Sequence, residues 1–572
     1  MAIQFLVFLQ IFVIFYLNSI FAQTQPSSIA QTQPSSSLAV NTVSCDILVA
    51  GGSLSSLAAA VSAANSSKTS TVCFLELTDT PGGQMISSNV PAIDFGPSNR
   101  IAANLPSSFN ELVFGELMPG DTNLGNCWVS TKCFTQEPVL NTFIFPLLKR
   151  FSNLKTYLRT AVSYATRDSI TGAVTSIRAI SRTPKDLANE WTPLTSTQLY
   201  DWYDPVDSNA YTKVSTDFVV SKGGVVIEAT EFGDVLMTGG FSTFAQGIES
   251  PTEAGTTDSI SYCGQGTTIP FYVSYLHTEA PSPDPWPPGN SNPTPSFSQQ
   301  GLSWERDWSY RRVDAPVATT KASPGETSVI NVGGGNDLST AYIFLDGQSE
   351  ELKAQMATPG AWRSGVNLTT YSEGEQRAFG FYHWFKSVNA SKTVMPFLNL
   401  NASLALTTHG LSKLPYLRDT RRSPLGIDGF RVFKSNLTTP DPHSNKTAYK
   451  WPDAVAIGQY FYADIHKMTN TSCPYPNYII SGDPVLPYYI PFRALTVQES
   501  PNLLVAGKSL ATTFFANAAI RLHPEEWSSG VAAGAAAAVM FEKQFDSSEA
   551  YANINLVQAA IKQLGSPIEW TF

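Results

Sequence analysis

The segment Gly51-Gly52-Ser53-Leu54-Ser55-Ser56 keeps a G-x-G-x-x-G spacing. Gly51 holds the first place, and Ser53 and Ser56 stand where the second and third glycines are usual. Residues this small let backbone approach a pyrophosphate, whose charge the N–H groups at the start of a following helix can receive. Ser53 and Ser56 each add a side chain where none is customary. Glu76 lies 25 residues after Gly51. A carboxylate at that distance, closing a second strand, can accept both hydroxyls of an adenosine ribose and disfavours a 2′-phosphate. The chemistry these residues predict is dinucleotide binding.

The elements that must position them are readable around them. Residues 44–50 (SCDILVA) form a short apolar run too brief for a helix, LAAAVSAAN has high helix propensity, and TVCFLE at 71–76 reads as a second buried strand. This is the β-turn-α-β opening of a dinucleotide-binding unit. Residues 139–187 predict a helix followed by two strands, and 218–230 predict two strands joined at Gly223-Gly224. LLVAG at 503–507 predicts a strand and 528–543 a small-residue helix. Between these pieces, 236–480 is rich in Pro, Gly, Ser and Thr, and SPDPWPPGNSNPTPS at 282–296 can only be loop. The expected fold is α/β. A Rossmann-like domain is built from 44–235 and 481–545, an α+β substrate or cap domain is inserted at 236–480, and a C-terminal segment follows at 546–572.

Of the 572 residues 43% are hydrophobic, ample for a large core, while only 14% are charged, against roughly 25% in average soluble proteins. Lys and Arg total 36 against 46 Asp and Glu, a net charge of −10 without basic runs. A phosphate-neutralising face for nucleic acid is therefore not expected. With six His and no HExxH or paired CxxC, no metal site is expected either. Residues 1–22 read as a secretory signal peptide ending at Ala22, with an uncleaved anchor as the rival, and the AQTQPSS repeat within 23–43 reads as a disordered linker. Sequons at Asn65, Asn367, Asn389, Asn401, Asn436, Asn445 and Asn470 then predict glycosylation, most of it in the middle region. Cys127 and Cys133 suit a local disulfide. Cys45 and Cys73, in apparent strands, are expected as buried thiols, and the pairing of Cys263 with Cys473 is open.

Further motifs bring a resemblance. Thr80-Pro81-Gly82-Gly83-Gln84 places a Gly-Gly pair after the ribose acid, as in flavoproteins of the glutathione-reductase and fumarate-reductase type. VVIEATEFGDVL near 225 is similar to the D-A-T-x-x-G-D segment of FAD-dependent oxidoreductases of the xanthan-lyase-like group, with Glu228 in the acid position and Gly233-Asp234 supplying the Gly-Asp. LPYLRDTRRSPLG at 414–426, DAVAIGQYFYADIHKM at 453–468, YYIPFRAL at 488–495 and residues 502–538 resemble further segments of that family, in its order.

The resemblance implies a glutathione-reductase-type domain holding FAD. By position Gly51, Gly52, Ser53 and Ser56 would line the pyrophosphate, Glu76 the ribose, and Gly82, Gly83 and Gln84 the flavin-side phosphates. Val162 would contact adenine through its backbone, and Gly507 and Gly530 would admit the ribityl chain and isoalloxazine, with a helix N-terminus near Gly530 aimed at the flavin. No second Gly-rich turn offers a nicotinamide site. With the flavin taking a hydride, His466 is the candidate general base and Asp464 its orienting acid, while Arg493 or Arg521 would clamp a carboxylate or stabilise the reduced ring. His523, Tyr488 and Arg421 stand behind them. The expected activity is a secreted FAD-dependent dehydrogenase or oxidase on a small organic substrate, with an electron acceptor such as oxygen. Two rivals stay open: a non-catalytic extracellular flavin- or ligand-binding protein with a degenerate phosphate loop, and a carbohydrate-active lyase.

Overall fold

An apolar run, a small-residue turn and an Ala-rich stretch give β1 (Asn41–Ala50), α1 (Leu54–Ser66) and β2 (Val72–Leu75) in succession. The computed structural model describes residues 40–114, 127–130, 132–241, 246–249, 253, 264–279, 302–314, 322–347, 349–358, 360–387, 395–466, 468 and 484–572. A helical stretch over 136–149 leads to β3 (Leu154–Tyr157), β4 (Thr160–Arg167), β5 (Val174–Pro184) and β6 (Tyr211–Glu228). β1 lies between β2 and β6, parallel to both, and β3 extends the parallel run beyond β2. The antiparallel pair β4–β5 joins through β5 to β6. β2 and residues 47–50 of β1 are buried throughout, as parallel strands covered on both faces require.

Residues 218–230 are not a hairpin. They complete the single long strand β6, which stays parallel to β1 on both sides of Gly223-Gly224. Between the pairs Cys45–Val220 and Ile47–Val225 the register shifts, with Gly223 at φ +72°. The glycines therefore absorb extra residues as an irregularity instead of reversing the chain.

Cys45 and Cys73 correct a second expectation: they form a disulfide with a Cα–Cα distance of 5.8 Å, within the range a disulfide needs. The regular pairing of the two strands sets Cys73 opposite Leu48, three residues on from Cys45. Cys127 and Cys133 also pair, and Cys263 and Cys473 lie outside the described residues.

The middle of the chain forms a separate antiparallel sheet from β7 (Phe271–Tyr275), β8 (Arg312–Asp314), β9 (Thr327–Ile330) and β10 (Leu398–Leu400), in the order β10-β7-β9-β8. Phe379, Tyr382 and Phe385 of helix α2 (Leu368–Ser387) share a core with Phe271 and Val273 of β7. The chain then returns to the first sheet. β11 (Thr496–Val497) pairs antiparallel with β12 (Ser500–Val505), which lies parallel to β6.

α3 (Phe514–Ile520) and α4 (His523–Lys543) follow. α4 begins five residues before the expected 528, because Pro524 suits the first turn and Glu525 and Glu526 complement its N-terminal dipole. Its small residues lie directly on α1: a Cβ on Gly534 would stand 2.3 Å from the carbonyl of Ala59. Among the sequons, Asn65 and Asn445 are exposed, whereas Asn401 donates its amide to Ser274. Asn389 and Asn470 lie outside the described residues. Among the described residues no helix is long and apolar enough to cross a membrane.

Candidate functional site

The turn between β1 and α1 is closed by its own hydroxyls. Ser53 Oγ accepts the Ser56 N–H at 3.3 Å and donates to the Ala229 carbonyl at 2.7 Å. Ser56 Oγ donates to the Ser53 carbonyl at 2.6 Å and accepts the Gly52 N–H at 3.2 Å. Gly51 sits under this network, with the place of a Cβ only 2.5 Å from the Leu75 carbonyl.

Glu76 is wholly buried at the end of β2. Its Oε1 accepts from the Thr78 N–H and hydroxyl at 3.0 and 3.1 Å, and its Oε2 has no partner. Burial pushes this carboxyl up to about 8 against those two hydrogen bonds. Val162 lies on β4, whose first residue Thr160 donates its N–H to the Glu76 carbonyl at 2.8 Å.

Gly82 and Gly83 turn the chain back onto the same place. Gly83, at φ +50°, lies so close that a Cβ would stand 2.3 Å from Leu54 N. Gln84 donates its amide to the Arg521 carbonyl at 3.1 Å and leaves a buried Oε1 unpartnered. Gly507 donates its N–H to Ser529 and faces Ser55. Gly530 does not join them. The place of its Cβ is 2.3 Å from the Ser55 carbonyl, so it serves the packing of α4 on α1, and the helix N-terminus lies at His523 instead.

FAD fits what these residues offer. The bare, buried Oε2 of Glu76 suits ribose hydroxyls, and the Oε1 of Gln84 and Oδ1 of Asn517 are further buried acceptors without a donor.

A cavity of about 320 Å³ opens next to this place, with Arg521, Asp464 and His466 in its wall. His466 is clamped from both ends: Nδ1 lies 2.6 Å from Asp337 Oδ2, and Nε2 lies 3.2 Å from Asp464 Oδ2. Burial works against both carboxylates. Even so, Arg418 and His466 hold Asp337 far below the usual range, and His466 and Arg521 do the same for Asp464. Arg418 reaches Asp337 at 3.1 Å. Arg521, itself buried, donates to Tyr416 Oη at 2.7 Å and to the Asp464 carbonyl at 2.9 Å. Three buried donors of this wall have no partner: Nε of Arg311, Nε of Arg521 and Nδ2 of Asn331. Unpaired cationic and amide donors around a polar cavity suit an anionic group such as a carboxylate.

The expected catalytic set is therefore only partly assembled. His466, Asp464 and Arg521 meet, but Arg493 does not join them. It forms a two-pronged pair with Asp453, at 3.0 and 3.1 Å, and stacks 4.2 Å over Phe430. His523 hydrogen-bonds the Val90 carbonyl, and burial depresses it to about 3, so it stays neutral. Tyr488 donates to the Ala519 carbonyl, and Arg421 donates to the carbonyls of Phe232, Ser364 and Gly365. Both hold backbone. The residues missed are Asp337, Arg311 and Asn331, which come from stretches without a motif, and Arg418. A signal existed for Arg418 alone, which lies inside the resembling segment 414–426.

The buried carboxyls of Glu76 and Glu525, both pushed up to about 8, and of Asp234 and Glu375, both to about 7, carry a stability consequence. Each is raised by burial, so the folded chain holds protons that the unfolded chain releases above its ordinary range. Stability of the cofactor-free protein should therefore fall as pH rises from 6.5 to 8, by about 1.4 kcal/mol per pH unit for each fully titrating group at most. Below 6.5 the depressed His409 and His523 add an opposite slope. Urea melts across this range check it, and stability that is flat or rising from 6.5 to 8 would contradict it.

A family model described as FAD dependent oxidoreductase matches residues 46–561. No curated protein matches the chain. Among solved structures, the chain is similar to quinol fumarate reductase from E. coli at 10% identity, covering 92% of this chain and 74% of that one with a TM-score of 0.32. It is similar to a myxobacterial FAD-dependent chondrochloren halogenase at 9% identity, covering 89% and 78% with a TM-score of 0.30. It is also similar to L-proline dehydrogenase from P. horikoshii at 11% identity, covering 37% of this chain and 25% of that one with a TM-score of 0.16. The chain thus spans only a quarter of the length of that dehydrogenase.

Proposed function

The chain belongs to the FAD dependent oxidoreductase family, and on that footing we propose that it is a secreted flavoenzyme. Its substrate would be a small organic molecule carrying an anionic group, bound in the cavity of Arg521 and His466. The observation that carries this reading is His466 held between Asp337 and Asp464 in a wall with unpaired Arg311 and Arg521 donors. Bound FAD supplies a two-electron acceptor or donor. Glu76 would hold its ribose and Gln84 would lie on its flavin side.

Arg311 and Arg521 would fix the anionic group and so orient the reacting carbon. Asp337 would accept the Nδ1–H of His466. Asp337 fixes the ring from Nδ1. Nε2 would take the proton that the substrate loses on oxidation, and Asp464 would then accept the new Nε2–H. Arg521, 3.6 Å from Asp464 Oδ2, keeps that carboxylate ionised and in place.

Secretion rests on the apolar residues 1–22, the sequons and the two disulfides, which suit an oxidising compartment. The residues 236–480 would serve as the substrate part. The rival reading, a flavin-binding protein without turnover, draws on the hydroxyl-closed turn at Ser53 and Ser56.

An anaerobic screen of the FAD-loaded protein separates the two. Carboxylates or phosphates that bleach the flavin, while their neutral esters do not, support the enzyme. A flavin that no small molecule bleaches and no reduced flavin that any acceptor reoxidises would favour the rival.

A further inference from the structure

Three buried charges meet at the N-terminus of α1, where a dinucleotide would bring its phosphates. Lys508 Nζ lies 2.6 Å from Glu231 Oε2 and 3.6 Å from Glu526 Oε1, and all three side chains are nearly inaccessible. Gly52 turns its open side to Glu231, whose backbone N and Cγ stand 3.5 and 3.8 Å from the place of its Cβ. Glu526 approaches from the other side, with its Cγ 3.5 Å from the corresponding place on Gly507.

The turn spends most of its own donors: the N–H of Gly52 goes to Ser56, that of Ser53 to Ala229 and that of Ser56 to Ser53. The Leu54 N–H is left facing the Glu526 carboxylate. Neither oxygen of Glu526 closes a hydrogen bond, and Glu231 Oε1 is likewise bare. Two carboxylates share one ammonium, so the group carries one negative charge too many for a buried site.

We propose that Glu526 is a built-in stand-in for phosphate at the N-terminus of α1, and that the diphosphate of FAD displaces its carboxylate with uptake of one proton from water by the Glu231–Glu526 pair. This rests on the FAD reading above. A carboxylate at a helix N-terminus makes the same interaction with the amide and the dipole as a phosphate oxygen. A diphosphate brought beside both carboxylates would repel them, and protonating one carboxyl removes a charge without moving Lys508. The groups facing the pair are Lys508, shared by both, Glu76 near Glu231, and Tyr416 and His523 near Lys508. Burial raises both Glu231 and Glu526, in keeping with a readily taken proton.

The test is calorimetric titration of the full-length apoprotein with FAD at pH 8, in two buffers of different ionisation enthalpy. About one proton should be taken up per FAD, and affinity should weaken up to about tenfold per pH unit as pH rises. Riboflavin, which lacks phosphate, should bind without proton uptake. Glu526→Gln should bind FAD about tenfold more tightly at pH 8 with the uptake lost. Glu231→Gln, which leaves Lys508 paired with Glu526, should also flatten the pH dependence and serves if the first variant misfolds. FAD binding without proton uptake, or weakened FAD binding by a folded E526Q protein, overturns the stand-in alone. Uptake of FAD by E526Q but not by wild type supports it. A folded wild type and folded E526Q that both refuse FAD at every pH overturn the FAD reading and the stand-in together.

Discussion

Replacing His466 with Asn should lower the rate of flavin reduction by substrate about 10²- to 10⁴-fold, the usual worth of a positioned proton carrier. Flavin content should not change, because His466 sits in the cavity wall and not among the residues around Glu76 and Gln84. The amide can still meet Asp337, so the fold there is kept, but no group remains at Nε2 to exchange a proton with substrate. The pH profile should change with the rate, since Asp464 alone then faces the cavity. Asp337→Asn should act in the same direction but more weakly, because it frees the ring without removing it. Stopped-flow reduction under anaerobic conditions, with any substrate that bleaches the flavin, checks both variants. A H466N protein within about threefold of wild type, a margin under 1 kcal/mol, would contradict the assignment.

Gly83→Ala should cost about 3 kcal/mol or more and abolish FAD binding. Two penalties combine at this position. An alanine at φ +50° carries a left-handed strain of about 1 kcal/mol. Its Cβ would also stand 2.3 Å from Leu54 N and 2.5 Å from Ser53 C, which are backbone atoms that no rotamer change can move aside. The turn itself must shift, and with it the seat at the start of α1. Gly240→Ala is the control: at φ +63° with nothing within 4 Å of the new Cβ, it carries the strain without the clash. Denaturant melts of the two variants separate the terms, and equal losses would contradict a role for close packing at Gly83.

The opening of the fold was legible because its signals are local. The apolar run of β1, the small residues at 51–56, the alanines of α1 and Glu76 at the end of β2 all lie within a short stretch, and each has one physical reading. Where long-range packing decides, local pattern misleads. Gly223-Gly224 reads as a turn, but β6 resumes parallel pairing with β1 past the glycines. Cys45 and Cys73 read as separate buried thiols, because nothing local in either strand marks their approach across the sheet. Gly530 reads as flavin-facing in a helix that starts at 528. The helix starts at His523, which turns Gly530 toward α1.

The site divides in the same way. His466, Asp464 and Arg521 lie in segments with a recognisable pattern, whereas Asp337 reaches His466 across 129 positions of sequence and leaves no mark on it. Arg493 carries the right chemistry in a resembling segment, but Asp453 and Phe430 claim it. Glu231, Lys508 and Glu526 stand in EATEFGD, LLVAGKS and HPEEW, with no local pattern that joins them. Only the fold brings the three together.

On the reading proposed above, this chain holds FAD around Glu76 and Gln84 beside the cavity of His466. The most direct test is the visible absorption spectrum of the protein purified from a secreting host and supplied with FAD during folding, recorded before and after denaturation. Oxidised-flavin bands should stay with the protein through gel filtration and be released as free FAD on unfolding. A folded protein that elutes colourless after exposure to FAD at both acid and alkaline pH would contradict it.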